Sequence, residues 1–205
     1  MKKLFFAILL CLPMLVSASN EDQKYLAGAV PEVNGVVTFT QTFSVPGRSQ
    51  ADIFSVMQTY IRKLVAEGRQ DLRTRIISDE PATGEIVAKV EEIMTFKKKF
   101  LNWDHTYFRY LISAICSADG KVTLIITQIS YLYGFDIEGR GGENYKAEEW
   151  ISDGAAMNKK QTKLYPRSGK FRRKTIDRVA EIFEGARDAF EDHEEVTRKR
   201  STVVE

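Results

Sequence analysis

The chain has 205 residues, 43% of them hydrophobic and 28% charged, with 30 basic side chains against 28 acidic ones. That length fits one hydrophobic core, and a formal charge of +2 excludes the strongly basic footprint of a general nucleic-acid binder.

Met1-Lys2-Lys3 is followed by an apolar run, Leu4 to Val16, broken only by Pro13, and then by the small residues Ser17, Ala18 and Ser19. A short basic start, an apolar stretch and a small-residue end predict a secretory signal peptide over residues 1–18, cut after Ala18. The run falls short of the about 20 apolar residues that a membrane span requires. Leu9 and Leu10, where small residues would precede an acylated cysteine, argue against a lipoprotein anchored through Cys11. No second run of that kind follows, so the mature chain is expected to lack a transmembrane segment and to reside in a periplasm or outside the cell. Losing Lys2 and Lys3 leaves 28 basic residues against 28 acidic ones, a formal charge near zero. Cys116 is then the only cysteine, which excludes an intramolecular disulfide, and its place at the end of an apolar strand predicts a packing role.

Residues 19–35 form an extended leader, with Val30-Pro31 as a loop and Asn34-Gly35 as a turn. From Val37 to Val45 the odd positions are mostly apolar and the even ones carry Thr38, Thr40, Thr42 and Ser44, the alternation of a half-buried strand. Pro46-Gly47 ends it. Ser49 with Asp52 three residues on predicts a helix N-cap, and Ile53, Phe54, Met57, Ile61, Leu64 and Val65 recur at helical spacing up to Gly68. Four strands follow, at Arg73–Asp79, Glu85–Phe96, Asp104–Cys116 and Lys121–Tyr133. Their separators, Pro81–Gly84, Lys97–Asn102 and Asp119-Gly120, have hairpin lengths, which predicts an antiparallel meander.

Residues 134–170 are predicted as a loop, far longer than the usual connection of about 4–6 residues. Gly139-Arg140-Gly141-Gly142 makes a flexible lead-in, and Trp150 anchors the loop to the body. A last helix spans about Arg172 to His193, with Ile176, Val179, Ile182, Phe183, Ala186 and Phe190 as its apolar stripe. Glu194–Glu205, charged and without periodicity, is predicted as a disordered tail. The order β-α-β4-α, in one domain over residues 36–193, predicts an α+β fold. A curved antiparallel five-stranded sheet would carry two helices packed on one face, as in TATA-binding-protein-like (TBP-like) folds. A helix-grip fold is the related alternative, and the strand count favours the first.

Lys24-Tyr25-Leu26-Ala27-Gly28-Ala29-Val30-Pro31-Glu32-Val33-Asn34-Gly35-Val36-Val37 and Phe43-Ser44-Val45-Pro46-Gly47 resemble the opening of the secreted family called domain of unknown function 4468. Glu148-Glu149-Trp150-Ile151-Ser152-Asp153, Leu164 and Phe171-Arg172-Arg173-Lys174-Thr175-Ile176-Asp177 resemble its closing motif. The resemblance implies a TBP-like fold and a bacterium of the Bacteroides group as source. It implies no activity and no catalytic residue.

Function classes narrow by chemistry. The two histidines offer no triad, because Asp104 and His105, adjacent in a strand, point to opposite faces. No metal-ligand spacing is present and no cofactor is implied. Lys97-Lys98-Lys99 before Phe100 and Trp103 suggests nucleic acid only weakly, and export argues against that partner. Binding is therefore the expected class. The fourth strand carries Trp103, Tyr107 and Arg109 on one face, with Phe108 and Tyr110 on the other. The fifth carries Ile125, Ile129, Tyr131 and Tyr133 on one side and Leu124, Ile126 and Leu132 on the other. One face of the sheet must meet the helices, and the other stays open unless Trp150 and its loop cover it. Residues 159–174 hold eight bases and no acid, among them Lys159, Lys160, Lys163, Arg172 and Arg173. Either they bind an anion, Arg172 and Arg173 at a helix start, or they form a solvated face. The sequence thus points to a non-catalytic binding module for an envelope glycolipid, an anionic polymer or a protein partner. The alternatives are a structural or assembly component of the envelope, and an unrecognised hydrolase.

Overall fold

The computed structural model describes residues 23–69, 73–100, 102–135 and 140–203; the predicted signal peptide lies outside the described residues. A two-residue hairpin, β1 (Glu32–Val33) with β2 (Val36–Val37), turns at Asn34-Gly35, where both φ angles are positive (52° and 76°). Strand β3 (Phe39–Ser44) leads into helix α1 (Gln50–Glu67). The Ser49 hydroxyl accepts from the Asp52 amide at 3.2 Å and caps α1 as its sequence predicts. Ile53, Phe54, Val56, Met57, Ile61 and Leu64 are buried on one stripe.

The meander is β4 (Arg75–Glu80), β5 (Glu85–Lys99), β6 (Asn102–Cys116) and β7 (Lys121–Phe135), all pairing antiparallel. The order along the sheet is β3-β7-β6-β5-β4. The predicted turn Lys97–Asn102 is largely strand, because β5 runs to Lys99 and β6 restarts at Asn102.

The segment predicted as a long loop, 134–170, is instead mostly structured. Strand β8 (Gly141–Lys146), helices α2 (Ala147–Trp150) and α3 (Asp153–Ala156), and a bridge from Met157 to Leu164 lie within it. β8 pairs Ser130–Phe135 of β7 along the edge whose other half, Lys121–Ile126, pairs β3, so two short strands complete one long edge. Gly142 permits the close approach: a Cβ there would lie 3.1–3.2 Å from Leu132, Phe135 and Tyr133 atoms. The sheet therefore has a sixth strand beyond the predicted five.

Helix α4 (Pro166–Val203) starts six residues before the predicted Arg172 and continues past His193, through most of the predicted disordered tail. Phe171, Val179, Ile182, Phe183, Ala186 and Phe190 are buried on it, and it shares one face of the sheet with α1. The Tyr60 hydroxyl of α1 donates to the Ile182 carbonyl at 2.7 Å, tying the two helices together. Burial pushes that phenol up to about 12.

The leader is packed rather than merely extended. Tyr25 joins Ala156, Met157 and Leu164 in a small second core, and its hydroxyl donates to Asp177 of α4 at 2.9 Å.

Candidate functional site

The sheet has one face against the helices and one turned away, and pairing geometry decides which side chains occupy each. On β6 the even positions Phe108, Tyr110, Ile112 and Ala114 are buried beneath the helices, so Trp103, His105, Tyr107 and Arg109 lie on the outer face. On β7 an extra residue, Gln128 at φ 52°, forms a bulge opposite Arg109 and Leu111. It reverses the alternation. Leu124 and Ile126 before it, and Ile129 and Tyr131 after it, are all buried on the helix side, a correction to the strict alternation expected from sequence.

On the outer face the rings form a row. Trp103 and His105 stack with centroids 3.9 Å apart, His105 meets Phe135 edge-on at 4.9 Å, and Phe135 stacks on Tyr107 at 4.3 Å. Arg69 covers the end of the row, 4.0 Å from the Tyr107 centroid. Because ring faces are occupied by one another, the row presents many edges, the electropositive rims of the π systems. Next to it Glu91, 0% exposed, pairs with Arg109 across the strands, with Arg69 at 2.8 Å and with Arg73 at 3.4 Å. Arg109 also donates to the Asn144 side chain of β8 at 2.9 Å. Among the described residues no helix or strand packs across this face.

The other predicted residues stand apart from it. Trp150 is on the helix side, stacked on Tyr145 at 4.1 Å and edge-on to Phe171 at 5.7 Å, so neither it nor its segment is a lid on the rings. Its indole N–H is buried without a partner. Replacing Trp150 with phenylalanine removes that orphan donor and keeps a ring, so stability is expected to stay within about 1 kcal/mol of the parent in urea unfolding. A loss of several kcal/mol would show that the packing of the larger indole against Tyr145 and Phe171, with Arg167 over its ring, outweighs the relief of the orphan donor.

Arg172 is not a surface anion site: it is 0% exposed and tied to protein oxygens. The side chain lies inside because α4 begins a turn and a half earlier than its motif suggests, so the cation is within the helix rather than at its start. Arg173 lies half-buried over the Tyr25 ring, 5.8 Å from its centroid. Lys159, Lys160 and Lys163 are exposed around the turn held by Asn158, whose side chain accepts from the Thr162 amide at 2.9 Å. The basic segment is therefore split between an interior clasp and a solvated turn.

Sequence reasoning missed Glu91, Arg69, Arg73 and Phe135. Glu91, beside Glu92 within the apolar run of β5, was a signal that a cation faces that strand, but the register that sets Arg109 opposite it was not readable. Phe135 gave none, because Gly134 at φ 83° lies between it and the regular pairing. Asp104, on the helix side, accepts from Lys170 at 2.7 Å and Tyr133 at 2.9 Å, while His105 faces outward. Cys116 is buried, with its thiol pushed up to about 11 by desolvation.

Two shallow clefts border these groups. One of about 510 Å³ is lined by Lys97, Trp103, His105, Tyr133 and Phe135. A second, about 780 Å³, lies between the leader, β5 and α4, and two ion pairs line it, Lys24 with Asp177 and Arg178 with Glu92. Among the described residues no group of three acids, cysteines or histidines is placed to hold a metal ion, and no helix is long and apolar enough to cross a membrane.

Comparison with known proteins bears on this geometry. The family described as a domain of unknown function with TBP-like fold, DUF4468, matches residues 39–132. A crystallised DUF4468 family protein from Bacteroides ovatus is 37% identical, with a TM-score of 0.74 over 82% of this chain and 94% of its own. A TBP-like protein from Parabacteroides distasonis, 21% identical, shares the fold with a TM-score of 0.64 over 78% of this chain and 96% of its own. No curated protein matches the chain.

Proposed function

The chain belongs to the DUF4468 family, with its TBP-like α+β fold, and from that premise we propose that it is an exported, non-catalytic binding module whose outer sheet face receives a ligand or protein partner of the cell envelope. One observation carries the reading: the row Trp103, His105, Phe135 and Tyr107, beside the Glu91 arginine cluster, lies on a sheet face that no described element covers. A plain solvated face would carry short polar side chains; large rings held in register by one another cost side-chain entropy and form a preorganised surface. Trp103 stays 45% exposed and Ile93, on the neighbouring strand, 44%. The export half of the reading rests on residues 1–18.

Native mass spectrometry of residues 19–205 purified from the organism's own envelope tests it. The expected result is an added mass that disappears on denaturation and is lost in Tyr107→Ala, a variant whose ring lies on the outer surface and whose fold is checked by circular dichroism. A bare mass in the parent protein sinks the binding reading and favours a structural component of the envelope.

A further inference from the structure

The hairpin that joins β5 to β6 reaches beyond its neighbours. Thr95 pairs His105, Lys97 pairs Asp104, Lys98 pairs Trp103 and Lys99 pairs Asn102, whereas β7 begins to pair β6 only at Thr106 and β4 pairs β5 no further than Lys89. The end of the hairpin is thus a two-stranded finger. At its tip Phe100 is 101% exposed, a phenylalanine that no packing among the described residues rewards. Lys97, Lys98 and Lys99 are exposed beside it, and among the described residues none of them has an ion-pair partner. Lys98 lies 5.4 Å from the ring of Trp103, itself 45% exposed. No acid occurs from Ile93 to Trp103, and the first one after them, Asp104, is taken by Lys170 and Tyr133.

A solvent-facing hairpin tip normally carries Gly, Asn, Asp or Ser, which satisfy turn geometry and water together. An aromatic ring flanked by three cations and a tryptophan is instead the composition that partitions at a lipid–water boundary: the ring enters the acyl edge, tryptophan lies at headgroup level, and lysines meet phosphates.

We propose that the β5–β6 finger docks on an anionic lipid surface, with Phe100 inserted, Trp103 at the interface and Lys97, Lys98 and Lys99 on the lipid phosphates. An acidic polysaccharide would engage the lysines and leave Phe100 in water; a single-stranded nucleic acid stacks bases on such rings and is told apart by the DNA and vesicle assays below, whereas a bilayer takes up ring and lysines together. The proposal shares Trp103 with the ring row but does not rest on the reading of the outer face, since Phe100 and the lysines take no part in that row.

Vesicle cosedimentation of residues 19–205, which keep every described residue, tests it. The protein is expected to bind phosphatidylglycerol-containing vesicles and to leave phosphatidylcholine vesicles largely in the supernatant, with binding weakened by salt. Each lysine at an anionic surface strengthens association roughly fivefold, so the triple variant K97Q, K98Q, K99Q is expected to weaken it on the order of a hundredfold. Phe100→Ser, which removes a side chain without packing partners and leaves folding intact, is expected to weaken it by roughly tenfold. Brominated lipid should quench Trp103 in the parent protein and not in Phe100→Ser. Absence of vesicle binding at low salt overturns the proposal. So does binding that Phe100→Ser leaves unchanged, which would make the finger a general polyanion site, and so does heparin or DNA binding without vesicle binding. Loss of vesicle binding in the finger variants, with Tyr107→Ala unchanged in this assay, separates the finger from the outer-face site although Trp103 belongs to both.

Discussion

Replacing Arg172 with alanine is expected to destabilise the protein by about 3–5 kcal/mol, the range for breaking a buried ion pair by removing one partner. The guanidinium is fully buried, and its Nε donates to the Tyr25 carbonyl, Nη1 to the Ile151 carbonyl, and Nη2 to the Leu26 carbonyl and to Asp153, each at 2.6 Å. One planar fork thereby fastens three pieces of chain: the leader, the turn after α2 and the first turns of α4. Truncation leaves three carbonyls without their donor, while Asp153, 29% exposed, keeps contact with water, and each buried unpaired group has its own desolvation cost. Lysine cannot substitute, because a single ammonium does not reproduce the geometry of the fork. Urea unfolding of Arg172→Ala and Arg172→Lys reads the effect, and limited proteolysis should show new cleavage in residues 23–30. A loss below about 1 kcal/mol in the alanine variant would mean that water replaces the four bonds, contrary to the burial.

The second large effect is expected at Glu91. Its carboxylate lies under Arg69, Arg73 and Arg109, and its backbone is bracketed by the Thr74 hydroxyl and the Arg69 amide. Glu91→Ala removes the charge around which the arginines converge. Arg69 and Arg73, with about a third and a half of their side chains exposed, can rehydrate; Arg109, at 16%, cannot do so readily. A loss of about 2–4 kcal/mol follows, smaller than at Arg172 because water reaches two of the three cations. Arg109→Met in the Glu91→Ala background is expected to recover part of that loss, since it deletes the orphaned cation. Double-mutant analysis by urea unfolding checks the coupling. Strict additivity of the two substitutions would show that the pair is not a unit. Because Arg69 also covers Tyr107, the ring row should loosen in Glu91→Ala even where the core is intact.

Local chemistry made much of the fold legible. Ser49 and Asp52 capped α1 as read, Asn34-Gly35 turned the first hairpin, and the odd–even pattern of β6 placed Trp103, Tyr107 and Arg109 together on one face. The site was legible where a single strand determined it. It was not legible where two distant strands had to be aligned: the Glu91–Arg109 pair depends on the β5–β6 register, and Phe135 reaches Tyr107 only through the irregular end of β7.

By itself the sequence determined what depends on neighbours within a few residues: the helix cap, the turns, the strand alternation, the amphipathic stripes and hence the β-α-β4-α order. The tertiary structure alone decided the rest. One added residue at Gln128 reversed the faces of β7, because alternation counts every residue and a bulge is invisible to composition. Segment 134–170 became β8 and a packed layer, because a polar, glycine-rich strand acquires its order from the vacant edge of β7 rather than from its own propensity. Arg172 went inside, although its neighbours Arg173 and Lys174 did not, because a buried cation is stable only where four oxygens from separate parts of the chain converge on it, and their convergence is a property of the folded molecule.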